Sequence, residues 1–145
     1  MDTVSKLYSR IPRYVWLIPP LLWMTIIFLL SSRQRIMVSE EYWTNFFIFK
    51  SLHVIEYAIL ATLNTIAIAT NTKGLSLSRA VLYGAFFTLL FAITDEVHQT
   101  FVPTRSGQAR DVLIDSIGIF SVYWLISLYE KSKKRPSAPL RSRTS

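Results

Sequence analysis

Four long hydrophobic runs divide the chain, and polar stretches separate them. The first covers residues 14–30 without a single charge, and the others cover about residues 46–69, 80–99 and 112–128. Their apolar positions are continuous rather than alternating, which favours helices over the strands of a membrane barrel. A helix crosses a bilayer with about 20 residues. We therefore predict an all-α integral membrane bundle of four transmembrane helices.

The second and third runs are incomplete without the titratable residues at one of their ends. The uncharged part is 13 residues long in the second run, 57–69, and 15 residues long in the third, 80–94. Both are shorter than the about 20 residues that a crossing requires. The charged ends must therefore lie in or beside the membrane, where they are costly unless they pair or line a wet cavity.

Composition narrows the possible functions. The chain is 51% hydrophobic and 17% charged, which is more apolar than a typical soluble domain. It has no Cys, so disulfides, Cys-ligated zinc and thiol catalysis are excluded. The net charge of +7 does not indicate nucleic acid, because the basic residues flank the first and last hydrophobic runs. In these positions they are expected to contact membrane lipids.

The distribution of Lys and Arg predicts the orientation. Eleven of them lie in the two termini and the second loop, whereas five lie in or next to the first and third loops. By the positive-inside rule, both termini of this multi-pass protein are expected to be cytoplasmic. We expect a cytoplasmic segment at 1–13, a transmembrane domain at 14–130 whose first helix is not cleaved, and a basic disordered tail at 131–145.

Alternation of four crossings then places all the polar ends on the outer side. On the second helix, Lys50, His53 and Tyr57 share one stripe, with Glu56 beside them. The residues predicted to orient, protonate or react with a ligand are His53, Glu56, Asp95, Glu96, His98 and Asp115. Those predicted to contact it are Lys50, Tyr57, Gln99, Arg105, Arg110 and Asp111. Gly118 is expected to let a neighbouring helix approach closely.

Two other interpretations of these residues stay open. Glu56 and Asp115 could instead form buried ion pairs that fix the helix register, for instance with Arg105 or Arg110. A metal ion is a second option, with ligands from the set His53, His98, Glu56 and Asp95. No HExxH motif is present, and the sequence by itself assigns no metal and no cofactor.

Three spaced motifs resemble the VanZ-like family of membrane proteins. Residues 94–105 resemble its DE-x-HQ-x-F-x-P-x-R signature, residues 50–57 its K-x-x-H-x-x-x-Y segment, and residues 110–118 its closing D-x-x-x-[DN]-x-x-G. Ser31 and the serine after it fit the serines at the end of the family's first helix. The resemblance covers residues 14–128 in order. One departure is Thr104, where the family often has Gly.

What the resemblance implies about function is limited, because most relatives have no defined biochemical activity. The family's namesake is associated with low-level resistance to the glycopeptide teicoplanin. Our leading hypothesis is a multi-pass protein of the inner (plasma) membrane that resembles this family. Its outward-facing pocket would bind an anionic or lipid-linked cell-envelope molecule. The alternatives are a membrane-embedded hydrolase or transferase acting on a lipid-linked phosphate, and a non-catalytic accessory subunit. The oligomeric state does not follow from the sequence.

Overall fold

The computed structural model describes residues 12–34, 38–105 and 107–133. Predictions for most of the 1–13 segment, for Arg35 and for the tail after Lys133 fall outside these residues. The described chain contains a 3-10 helix, Arg13–Leu17, followed by four α-helices. These are α1 (Ile18–Ser31), α2 (Tyr42–Asn71), α3 (Leu77–Gln99) and α4 (Ala109–Lys133).

The prediction of an all-helical bundle with four membrane-spanning helices is confirmed. Each helix is long and apolar enough to cross a bilayer, and the first includes the 3-10 helix, so that it extends from Arg13 to Ser31. The α-helical part begins at Ile18, and Pro19 and Pro20 lie in its first turn, where proline is tolerated because the N–H groups have no partner within the helix. Helices α2, α3 and α4 begin three or four residues earlier than the hydrophobic runs indicated.

A small apolar core lies where the helices meet. Helices α2, α3 and α4 pack against one another, and α1 packs against α2 and α3. The core contains Ile27 of α1, three residues of α2, Ala92 of α3 and Ile119 of α4. The large hydrophobic side chains outside this core are mostly exposed along all four helices. Such a surface is costly in water but suits the hydrocarbon of a membrane.

Helix α2 is the longest element and carries most of the predicted site. Its 30 residues correspond to about 45 Å of helix, against about 30 Å of hydrocarbon in a bilayer. At least one of its ends therefore reaches the head-group region. The polar residues Lys50, His53 and Glu56 all lie in its first half, and α4 packs beside them.

Candidate functional site

The polar ends of the helices come together at one end of the bundle. Between α2 and α4, the Nζ atom of Lys50 lies 2.7 Å from Oδ2 of Asp111. One turn further into the bundle, Nδ1 of His53 lies 3.5 Å from Oδ1 of Asp115. The two pairs form two steps of a ladder, because residues three or four apart lie on the same helix face. The i, i+3 and i, i+4 spacings of the sequence therefore produce contacts between helices.

Asp95 of α3 connects three elements. Its Oδ2 accepts hydrogen bonds from Ser31 Oγ at 2.9 Å, from the Tyr57 hydroxyl at 3.1 Å and from Gln99 Nε2 at 2.9 Å. Asp95 and Tyr57 are almost fully buried. A carboxylate that accepts several hydrogen bonds is strongly held in place. This cluster links the end of α1 to α2 and α3.

Glu96, the next residue of α3, faces the third loop and α4. Its Oε2 accepts a hydrogen bond from the backbone N–H of Gln108 at 3.0 Å. Its Oε1 lies 3.5 Å from Gln99 Nε2. A Cβ on Gly107 would overlap with the backbone carbonyl of Glu96, so only glycine lets the loop pack this closely. The loop therefore fixes the orientation of the Glu96 carboxylate.

Arg105 joins the third loop to the end of α1. Its Nε donates to the carbonyl of Arg33 at 3.1 Å and its Nη2 to the carbonyl of Leu30 at 3.3 Å. Its Nη1 lies 3.4 Å from Gln99 Oε1. The guanidinium thus donates to two carbonyls at the C-terminal end of α1, one of which also accepts the backbone N–H of Arg33.

His98 lies against α1 rather than against His53. Its Nε2 is 3.0 Å from Ser32 Oγ, and its ring centroid is 4.4 Å from that of Phe28. His98 therefore lies apart from His53, and the metal option with ligands from His53, His98, Glu56 and Asp95 stays untested. Among the described residues, the group whose ligand atoms lie close enough together to hold a metal ion is His53, Glu96 and Asp115.

The alternative of a buried ion pair had named Arg105 or Arg110 as examples of a partner for Asp115. The structure places His53 beside Asp115 instead. Arg110 instead pairs with Asp111, with Nε 3.6 Å from Oδ1, and its guanidinium lies 5.2 Å from the ring centroid of Phe46. The Glu56 side chain is half-buried, and its backbone carbonyl accepts a hydrogen bond from Trp23 Nε1 at 3.0 Å.

A pocket of about 100 Å³ opens beside the ladder. Its lining includes three cationic side chains, those of Lys50, Arg105 and Arg110, and one carboxylate, that of Asp111. His53 and Gln99 also line it. One wall is aromatic, and the sequence interpretation had not assigned it; it consists of Tyr42, Phe46 and Phe49. The signal was present, because Phe46 precedes Lys50 by one helical turn and lies on the same face.

The buried carboxylate of Asp115 is unusual. Its side chain is fully buried, and neither oxygen has a hydrogen-bond partner among the residues that the structure describes. The same is true of Nδ1 of His53 within that part of the chain. Nearly all buried polar atoms in proteins have partners, so such atoms indicate a site for a further group.

The structure thus brings most of the predicted residues into one region. Chemically, the region offers cationic groups for an anion, a histidine beside a buried carboxylate, and hydrogen bonds that hold the surrounding helices in place. The predicted roles of the individual residues stay predictions.

None of the curated proteins and none of the solved structures compared with this chain matches it significantly. The family model VanZ/LLP1 matches residues 13–130. The chain therefore belongs to the VanZ/LLP1 family of membrane proteins.

Proposed function

We propose that the pocket beside α2 and α4 binds the anionic head group of a lipid-linked cell-envelope molecule. The observation that carries the proposal is the lining of the pocket, in which Lys50, Arg105 and Arg110 stand against one carboxylate, Asp111. With His53 neutral, the formal charge of these groups is +2. A concave site with excess positive charge attracts phosphates and carboxylates.

The aromatic wall supports an amphiphilic ligand rather than a small free anion. Phe46 and Phe49 line the pocket, and the neighbouring Trp43 and Phe47 are exposed on the outside of α2. A ligand with a charged head and a hydrocarbon tail would place the head among the cations. Its tail would then leave past the aromatic side chains into the lipid. Binding sites of this kind combine an apolar wall with a few polar contacts.

Arg110 is the cation most available to such a ligand. Its side chain is 55% exposed, and its Nε is 3.6 Å from Asp111, beyond ordinary hydrogen-bond distance. Arg105 is held by backbone carbonyls, and Lys50 is held by Asp111. We therefore assign Arg110 as the principal anion contact. Lys50 and Arg105 contribute to the positive electrostatic potential of the pocket.

The binding test uses purified full-length protein in detergent, with a long-chain polyprenyl monophosphate as the probe. The uncharged polyprenol of the same length is the matched ligand. We expect the phosphate to bind at least about tenfold more tightly, since a charged hydrogen bond contributes about 1.5–3 kcal/mol. Arg110→Gln should remove most of that difference. Arg79→Gln, an exposed arginine at the opposite end of α3, is the control. Equal affinity for the two ligands would overturn the proposal.

We further propose that the protein lies in the inner membrane with both termini in the cytoplasm and the pocket facing outward. The support is the excess of Lys and Arg in the termini and the second loop. The chain has no Cys, so single substitutions give clean labelling sites. Thr104→Cys should react with a membrane-impermeant maleimide added to intact cells. Ser76→Cys, in the second loop, should react only after the membrane is opened. The reverse pattern would contradict this orientation.

A second candidate, hydrolysis or transfer of a lipid-linked phosphate, is favoured by the His53–Asp115 pair. His53 lines the pocket, and a carboxylate beside its ring can fix the orientation of an imidazole that acts as a general base. In a hydrolysis, His53 would take a proton from the water that attacks phosphorus. The bond between phosphorus and the lipid oxygen would break, His53 would return the proton to that oxygen, and the products would be the lipid alcohol and inorganic phosphate. The His53→Gln variant separates the candidates, because loss of phosphate release with retained probe binding supports the enzyme. If the wild-type protein binds the probe but releases no phosphate, the result favours the binding function over the enzyme.

A further inference from the structure

We propose that His53, Glu96 and Asp115 form a binding site for one divalent transition-metal ion, such as Zn²⁺ or Mn²⁺. Each residue contributes one ligand atom, and these atoms all lie within 4.8 Å of one another. They come from three different helices, α2, α3 and α4. One imidazole and two carboxylates form a ligand set that suits first-row divalent ions.

The first argument is the separation of His53 and Asp115. Their Nδ1 and Oδ1 atoms are 3.5 Å apart, too far for a good hydrogen bond. Two ligands that each lie about 2.1 Å from one tetrahedral metal ion are separated by about 3.4 Å. The observed distance is therefore the one expected across a metal ion. The remaining pairs of ligand atoms lie within 4.8 Å, so their separations need to shorten by at most about 1.4 Å.

The second argument is the unsatisfied state of the ligand atoms. Both oxygens of Asp115, which is 0% exposed, and Nδ1 of His53 lack hydrogen-bond partners in the described ranges 12–34, 38–105 and 107–133. A buried carboxylate without donors costs several kcal/mol unless another charge compensates it. A metal ion would satisfy these three atoms at once. Two other buried oxygens, Oδ1 of Asp95 and Oδ1 of Asp111, also lack a hydrogen-bond partner in the described part of the chain, but Asp115 is the residue with both oxygens in that state.

The third argument is electrostatic. With a neutral imidazole and two ionised carboxylates, the three ligands carry a formal charge of −2, which one divalent ion balances. The nearby cations have other partners, since Lys50 contacts Asp111 and Arg105 caps the end of α1. Asp95 lies outside this group of three; its Oδ2 accepts hydrogen bonds from Ser31, Tyr57 and Gln99, whereas its Oδ1 has no hydrogen-bond partner among the residues that the structure describes.

The surroundings already supply the contacts that orient metal ligands. The backbone N–H of Gln108 and the amide of Gln99 both face the Glu96 carboxylate. Hydrogen bonds of this kind fix the direction of a ligand and increase metal affinity. Metal binding does not rest on the proposed function. If both are correct, the ion lies at the base of the pocket, and His53 is then a ligand rather than a general base.

The test uses the full-length protein with a purification tag that contains no histidine. The protein is purified in detergent, stripped with a chelator, loaded separately with Zn²⁺ or Mn²⁺ and desalted. Metal content is then measured by mass spectrometry without any lipid probe, so that failure of lipid binding does not affect the result. We expect one ion per chain and a rise in the thermal midpoint of about 5 °C at saturating metal. A wild-type protein that retains neither ion would overturn the proposal.

Three conservative variants, His53→Asn, Glu96→Gln and Asp115→Asn, should each lower metal affinity at least about tenfold. His98→Asn is the matched control, because it changes the other histidine of the chain, which contacts α1 instead. Wild-type affinity in all three variants, or an equal loss in the control, would contradict the assignment.

X-ray absorption of the Zn²⁺-loaded wild type decides the case even if a variant does not fold. The chain has two His and no Cys, so the signal of bound imidazole is simple to interpret. One imidazole with oxygen ligands supports the site. Two imidazoles, or none, would exclude it.

Discussion

Gly118 of α4 packs directly against the backbone carbonyl of Val54 in α2. A Cβ at Gly118 would overlap with that carbonyl oxygen and would also crowd the backbone N–H of Ala58. This close approach confirms the prediction that Gly118 allows a neighbouring helix to come near. Val54 follows His53, and Gly118 lies one turn after Asp115. The contact between the two backbones therefore sets how close the His53 and Asp115 side chains can come.

Gly118→Ala should destabilise the protein, although alanine is the better helix former. The added methyl group has no space, so α2 and α4 must separate, at a cost of about 1–3 kcal/mol. The measurement is the thermal midpoint in detergent, followed by tryptophan fluorescence. Ser121→Ala, on the exposed side of the same helix, is the control and should change the midpoint little. An unchanged midpoint for Gly118→Ala would show that the helices are not held at this point.

Lys50→Met should leave the Asp111 carboxylate buried without its closest partner. Asp111 is 6% exposed and lies 2.7 Å from Lys50, whereas Arg110 is 3.6 Å away. We expect a loss of about 2 kcal/mol in the free energy of unfolding. This is below the about 3–5 kcal/mol for a fully buried ion pair, because Lys50 is partly exposed and Arg110 stays nearby. The double variant Lys50→Met with Asp111→Leu should recover most of it. If the double variant is less stable than Lys50→Met, the ion pair is not the cause.

Tyr57→Phe should lower the free energy of unfolding by about 1 kcal/mol, because it removes the hydrogen bond that the Tyr57 hydroxyl donates to Asp95. The loss is limited since Ser31 and Gln99 continue to donate to the same carboxylate oxygen. Equilibrium unfolding in mixed micelles gives the difference. Tyr83→Phe changes an exposed tyrosine of α3 and serves as the control. Asp95→Ala should cost more than Tyr57→Phe, because it leaves several buried donors unpaired.

Thr104→Gly should stabilise the third loop. Thr104 has a φ of 69°, in the left-handed region that a β-branched residue rarely occupies. Glycine adopts this conformation without the steric cost, so we expect a gain of about 1 kcal/mol. Thr100→Gly is the control, since Thr100 has a φ of −63° and should lose stability instead. Differential scanning calorimetry in detergent reports both changes. A fall in the midpoint for Thr104→Gly would mean that its side-chain contacts outweigh the backbone strain.

This backbone angle also explains the one departure that the family comparison indicated. Glycine is common at the position of Thr104 in the VanZ-like motif, and the sequence could not tell whether the loop keeps its shape without it. In the structure, Thr104 adopts the left-handed conformation that glycine favours. The N–H of Arg105 still bonds to the carbonyl of Val102 at 3.1 Å, and the guanidinium still reaches the end of α1.

Hydrophobic pattern was sufficient to predict the four helices and the end of the bundle at which their polar residues meet. The reason is that hydrocarbon imposes a minimum length on each crossing and a high cost on each unpaired charge. Runs such as 57–69 are too short to cross by themselves, so their charged ends had to be part of the helices. Spacing also identified stripes such as Lys50 and His53, because helical geometry is local.

Which partner each of these residues has was decided only by the tertiary structure. Helix rotation, the backbone contact at Gly118 and the loop at Gly107 place His53 beside Asp115 and turn Glu96 toward Gln108. They also turn His98 toward Ser32 of α1. A sequence fixes the residues on each helix face, but partners across helices depend on rotations and offsets that side-chain packing sets. The sequence was therefore sufficient to predict that the charged ends belong to the helices and lie together. The arrangement of His53, Glu96 and Asp115 across three helices became evident only in the tertiary structure.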